Sequence, residues 1–329
     1  MTSYDSALKK EDMLSLFYSM LRIRLVEEGI AEYYPEQEMR CPVHLSIGQE
    51  SVAAGVCANL TDMDYVLSNH RSHDHYLAKG GNLPAMMAEL FGKQEGCTRG
   101  RGGSMHLIDL KAGFLGAVPI VGSTIPIAAG VALGTLMKGE RKITTVFFGD
   151  GTIEEGVFHE ALNFAALKKL PLLFVCENNL YSVYSPLSVR QPSNREIVSI
   201  ARGHGVECFT GDGNNVLEVY QQTQKAVNRI HEGGGPVFLE FATYRWREHC
   251  GPNFDNTIGY RTEKEFFQWK EQCPIEQFKN YLIQNEMIDS DSVEDMCKQI
   301  KKEIQTAIDF AKKSDFPDKE ELFAGIYAK

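Results

Sequence analysis

Residues 143–181, ITTVFFGDGTIEEGVFHEALNFAALKKLPLLFVCENNLY, decide the fold. An apolar run from Ile143 to Phe148 stops at Gly149-Asp150-Gly151. A segment of helical period follows, with Val157, Ala161, Leu162, Ala165 and Leu167 apolar and Glu154, Glu155, Lys168 and Lys169 polar. A second apolar run, Leu172 to Cys176, stops at Glu177-Asn178-Asn179. Strand, helix and strand of these lengths make a crossover, which forces two neighbouring parallel strands. Ligands of such sheets bind in the crevice at the carboxyl ends of the strands. Asp150 and the pair Asn178/Asn179 therefore reach one crevice from adjacent strands. A carboxylate and an amide carbonyl are hard oxygen donors suited to Mg²⁺. The flanking glycines let backbone approach a diphosphate closely.

An ordinary crossover with a loop aspartate would also contain GDG. The chain carries its own control in Gly211-Asp212-Gly213, which has no asparagine pair at the matching distance. The first GDG has 26 residues between Gly151 and Asn178. That spacing resembles the thiamine diphosphate signature, GDG followed by NN.

At 329 residues the chain has room for one large α/β domain with appendages. Its 34 basic and 44 acidic residues give a net charge of −10, which argues against nucleic acid as a main partner. The eight cysteines form neither CxxC nor a cysteine/histidine ladder, as expected of free thiols in a reducing compartment. Met1 to Lys10 is polar, without the apolar core of a leader peptide. Ala112 to Met137 carries no charge, yet Pro119, Pro126 and five glycines interrupt it. It reads as half loop and half apolar helix buried in an α/β core, not as a membrane span. The protein is expected to be soluble and cytoplasmic.

Outside the crossover, Glu11–Tyr34 and Glu50–Leu60 have helical spacing, and Asp64–Leu67 reads as a short strand. That strand ends in His70-Arg71-Ser72-His73-Asp74-His75, a metal or an anion cluster. No second ligand cluster with zinc spacing accompanies it, and arginine suits a diphosphate better than a zinc shell. Arg99–His106 is a glycine-rich basic loop, by itself the pattern of a solvated segment. Val206–Phe209 and Pro236–Tyr244 read as two further buried strands around a helix, Leu217–His231. The second ends in the charged stretch Arg245 to His249. From Arg261 onward the pattern is amphipathic and helical.

With these segments placed, the chain resembles the alpha subunit of the thiamine-dependent first component of 2-oxo acid dehydrogenase complexes. Pyruvate and acetoin dehydrogenase alpha subunits are the nearest types. The motifs that carry the resemblance span nearly the whole chain: HLSIGQE (44–50), HRSHDH (70–75), GRGGSMH (100–106), GDG…ENN, and TYRWREHC (243–250). It implies an α/β fold, a doubly wound parallel sheet binding thiamine diphosphate, with N-terminal helices (1–60), a core (61–260) and a helical C-terminal extension (261–329).

By the same resemblance, Asp150, Asn179 and the backbone carbonyl of Tyr181 would hold Mg²⁺. Gly151 and Thr152 would contact the diphosphate, and Arg71 and Arg245 would neutralise it. Pro119 and Val121 would meet the aminopyrimidine, with His70 nearby. His249 would be the active-site histidine, and His44 and His73 further pocket histidines. A separate beta subunit would supply the activating glutamate in an α₂β₂ heterotetramer, and a lipoyl-bearing acyltransferase would take the acyl group. Neither nucleic acid nor membrane is an expected partner.

Four positions depart from the common pattern. His70 stands where many pyruvate-type subunits have tyrosine, Pro119 replaces a usual glycine, Cys250 takes the place of a regulatory serine, and Gly251–Asn256 is atypical. The alternatives are an acetoin-type or biosynthetic relative and a non-catalytic scaffold. The set Asp150, Asn179, Arg71, Arg245 and His249 speaks against the scaffold.

Overall fold

The computed structural model describes residues 8–324, 326 and 327, so most of the stretch read for a leader lies outside the described residues. In chain order the helices are α1 (Lys10–Tyr33), α2 (Glu50–Cys57), α3 (His73–Ala78), α4 (Leu83–Leu90), α5 (Thr124–Met137) and α6 (Gly156–Lys168). They continue with α7 (Leu187–Arg190), α8 (Ile197–Gly203), α9 (Val216–His231), α10 (Glu263–Glu271), α11 (Pro274–Gln284) and α12 (Ser290–Lys313). The strands are β1 (Tyr65–Ser68), β2 (Phe114–Ala117), β3 (Thr144–Gly149), β4 (Leu172–Asn178), β5 (Tyr181–Ser182), β6 (Ser185–Pro186), β7 (Glu207–Asp212) and β8 (Val237–Ala242).

Six strands form one parallel sheet in the order β2-β1-β3-β4-β8-β7. The crossover is present as expected: β3 and β4 pair in parallel from Thr144↔Leu172 to Gly149↔Glu177, with α6 between them. Alternation along the strands splits the core between two faces. Phe147, Leu173, Val175 and Leu239 point to the side covered by α1, α2 and α9. Val146, Phe148, Leu172 and Phe174 point to the side of α5, α6 and α8. Helices cover both faces, and the sheet is doubly wound.

Chain direction fixes where a ligand can sit. From β1 the sheet grows outward to β2, whereas β3 lies on the other flank of β1 and leads on to β4. Connections leaving neighbouring strands on opposite sides open a crevice at their carboxyl ends. The β1/β3 boundary is that switch point. The helical tail packs back on the N-terminal helix: Ile300, Ile304 and Ile308 share one apolar cluster with Phe17, Met20 and Ile23. Arg22 and Glu303 pair across the seam at 2.7 Å.

Three expectations need correction. Part of the expected loop at 112–122 is strand β2, a four-residue edge strand preceded by left-handed Gly113 and containing Gly116, too short to show a period. β7 is not buried; it is the opposite edge, and its residues are exposed or half-buried. Helix α5 is not buried all round. Ile125, Ala128, Ala129 and Ala132 face the sheet, while Ile127, Leu136 and Met137 are exposed. Among the described residues no helix is long and apolar enough to cross a membrane.

Candidate active site

Loops leaving β1, β2, β3 and β4 surround a cavity of about 220 Å³ at the switch point. Eleven of the thirteen anticipated residues line it: His44, His70, Arg71, Pro119, Val121, Asp150, Gly151, Thr152, Asn179, Tyr181 and His249. Two do not. His73 is fully buried behind the wall, with Nε2 2.7 Å from Ser104 Oγ and Nδ1 3.3 Å from Glu27. Both ring nitrogens are engaged, so it ties helix α3 to the glycine-rich loop and to α1. Arg245 is buried as well and spends its donors on the carbonyls of Arg247 (2.6 Å) and Val183 (2.8 Å) and on Tyr260 (3.0 Å). Its charge reaches the cavity, but its hydrogen bonds hold the loop that carries His249.

One wall is built from hard oxygens. Asp150 follows β3 and is 1% exposed. Asn179 and Tyr181 follow β4, and Asn179 Oδ1 accepts from the Tyr181 amide at 3.2 Å. The Asp150 carboxylate already takes a cation, since Arg190 Nη2 donates to it. Burial raises the Asp150 carboxyl and Arg190 opposes the rise. A buried carboxylate that demands a counter-cation, in a lining shared with the Asn179 amide, fits Mg²⁺. Gly151 lets the backbone pass close by: a Cβ there would lie 2.7 Å from Ser182 Oγ.

The rest of the lining includes imidazoles and a guanidinium. The rings of His44, His70 and His249 face one another at centroid distances of 4.8–5.2 Å. Arg71 donates to the carbonyls of Leu45 (2.5 Å) and His249 (3.1 Å) and so ties the HLSIGQE loop to the His249 loop. Burial, then the charge of Arg71, brings His44 down to about 2 and His249 to about 3; His70 falls to about 3 for the same reasons. All three are neutral at pH 7. Burial and Arg245 pull Arg71 down to about 10, which leaves it a cation.

Beneath the cavity floor, His75 lies between Asp74 (3.4 Å) and Glu177 (3.3 Å), stacked on Phe147. Burial lowers His75, but the two carboxylates outweigh it and hold the ring above its usual range. Burial pushes the Asp74 carboxyl up.

Sequence reading missed Gln49, Asn69, Met105, Glu177, Ser182 and Val183 as cavity residues. Gln49 and Met105 sit inside motifs quoted for other members, and Glu177 precedes the asparagine pair, so position was available as a signal. Arg190 carried none. The glycine-rich loop is not merely solvated. The N–H groups of Thr98, Gly100, Gly102 and Gly103 converge on the carboxylate of Glu89 at 2.8–2.9 Å. Gly100 and Gly103 take left-handed φ (71° and 63°) to make this turn. The atypical stretch Gly251–Asn256 is anchored through buried Asp255, which pairs with Arg261 and accepts from Tyr260 at 2.7 Å.

The sequence model of the family described as the dehydrogenase E1 component matches residues 18–320. The chain is 38% identical over 322 residues to the alpha subunit of acetoin:2,6-dichlorophenolindophenol oxidoreductase of Bacillus subtilis, covering 98% of this chain and 95% of that one. It is 38% identical over 328 residues to the pyruvate dehydrogenase E1 component subunit alpha of Porphyra purpurea, covering 98% and 94%. The corresponding subunit of Rickettsia bellii is 32% identical over 318 residues, covering 97% and 96%.

Proposed function

The chain belongs to the dehydrogenase E1 component family, and from that premise we propose that it is the alpha subunit of a thiamine-diphosphate-dependent 2-oxo acid dehydrogenase. It decarboxylates pyruvate or a similar small 2-oxo acid and passes the acyl group to a lipoyl partner. The observation that supports this reading best is the cavity at the β1/β3 switch point, which Asp150, Asn179 and Tyr181 line together with Arg71 and three histidines. When bound, thiamine diphosphate supplies the electron sink for decarboxylation.

The chain supplies binding, orientation and proton control. Asp150, the Asn179 amide oxygen and the Tyr181 carbonyl hold Mg²⁺, with the backbone at Gly151 and Thr152 facing the diphosphate. Arg71 compensates the diphosphate charge, and Arg245 adds a more distant positive field. Pro119 and Val121 form the side towards the aminopyrimidine. His249 enters as a neutral imidazole, able to accept a proton or to donate one N–H to developing charge, not as a ready imidazolium acid. His44 and His70 pack against it and restrict its ring.

The activating glutamate comes from a beta subunit in an α₂β₂ heterotetramer, and the uncovered face of α5 offers surface for that contact. The second reading is an acetoin-oxidising subunit. His70, which completes the histidine cluster, favours it. One experiment tests both. The chain, alone and with a beta subunit, is saturated with thiamine diphosphate and Mg²⁺ and assayed with pyruvate, longer 2-oxo acids and acetoin against an artificial electron acceptor. We expect turnover only with the beta subunit present and highest on pyruvate. Robust turnover by the chain alone would overturn the two-chain reading, and acetoin above every 2-oxo acid would establish the second one.

A further inference from the structure

Arg190 ends the short helix α7, just beyond the β5–β6 hairpin, and nothing in the functional reading above uses it. Its side chain is only 9% exposed. Nη2 donates to the Asp150 carboxylate, Nη1 reaches Glu154 at 2.5 Å, and Nε donates to the carbonyl of Ser185 at 3.1 Å. Among the described residues Arg190 is the one ion-pair partner of Asp150. A carboxylate this deeply buried is strongly unfavourable without a counter-cation.

A divalent ion held by Asp150 needs the carboxylate that the guanidinium now occupies. Two cations on one carboxylate in a dry wall repel each other strongly. We propose that Arg190 is a resident counter-cation that competes with the metal, occupying Asp150 when the site is empty and leaving it when the ion binds. This rests on the Mg²⁺ reading of Asp150. Arg190 sits on a four-residue helix outside the main sheet, and Glu154 remains as its partner after release. A ligand that must displace such a contact has that contact subtracted from its apparent affinity. A metal arriving with a diphosphate brings a second anion for the freed guanidinium, whereas a bare ion does not. The pair therefore biases the site towards the metal–diphosphate complex and against the free ion.

The test uses Mn²⁺ as probe, with unbound ion read by electron paramagnetic resonance on the full chain, with and without thiamine diphosphate. Arg190→Gln should bind bare Mn²⁺ about tenfold more tightly or better, the scale of a lost hydrogen bond to a charged group, and should narrow the gap between the two conditions. Arg190→Lys, which keeps the charge, should stay near wild type. Adding Asp150→Asn to Arg190→Gln should remove the gain; a gain that survives lies elsewhere and overturns the proposal. Equal or weaker Mn²⁺ binding by Arg190→Gln, with the far-ultraviolet circular dichroism of wild type, also overturns it. If Mn²⁺ binds neither protein even with thiamine diphosphate, the metal reading of Asp150 fails and takes the inference with it.

Discussion

The tripeptide Gly-Asp-Gly occurs twice, at 149–151 and 211–213, each time at the carboxyl end of a parallel strand. What separates the two is the neighbouring strand. Gly149 sits in register with Glu177 on β4, so the residues that follow β4 meet Asp150 across the crevice. Asp212 ends the edge strand, in register with Ala242 on its single neighbour β8. Asp150 is 1% exposed and needs a cation; Asp212 is exposed and serves its own turn by accepting from the Asn214 amide at 2.8 Å. Gly213 is locked into the scaffold: its amide donates to Ala242 at 2.7 Å and its carbonyl accepts from Ser51 of α2. The same three letters make a cavity wall in mid-sheet and a helix entry at the edge.

The contrast breaks first at Asp150. Asp150→Ala should lower affinity for thiamine diphosphate with Mg²⁺ by about a hundredfold or more while the protein stays folded, because the side chain packs no core. Titration calorimetry beside a thermal melt checks both, and wild-type affinity would defeat the metal assignment. His249 lines the same cavity as Asp150. Replacing it by Gln should leave cofactor affinity near normal and cut turnover on the order of a hundredfold. If affinity collapses while turnover at saturation survives, His249 binds the cofactor and does not act on the substrate. The smallest effect belongs to Asp212→Ala, which removes one exposed turn hydrogen bond. It should lower stability by about 0.5–1 kcal/mol in urea unfolding without touching cofactor binding; any loss of affinity would erase the distinction between the two tripeptides.

The parallel core could be read from sequence because its signals are local. Apolar runs broken by glycine mark β3 and β4, and 3.6-residue spacing marks α1, α9 and α12. Edge elements were harder. β2 is four residues among glycines and has no room for a period, and the exposed residues of β7 resemble those of any half-solvated strand. Within the site, residues at strand ends were placed by topology, since a strand's carboxyl end fixes where the next residues go. His73 and Arg245 lie within a turn or so of the cavity residues Arg71 and His249 in sequence, but chain proximity does not say which way a side chain turns. Arg190 lay out of reach for the opposite reason: it approaches Asp150 from forty positions away, through a hairpin and one helical turn that leave no pattern in composition.

If a beta subunit covers α5, a copy made without it shows Ile127, Leu136 and Met137 of α5, with Phe164 and Leu167 of α6, to water. Contiguous exposed apolar surface of that kind associates with other apolar surface. The uncovered helix would make each unpartnered copy prone to self-association. Solubility of the chain would then depend on how much of its partner is made beside it.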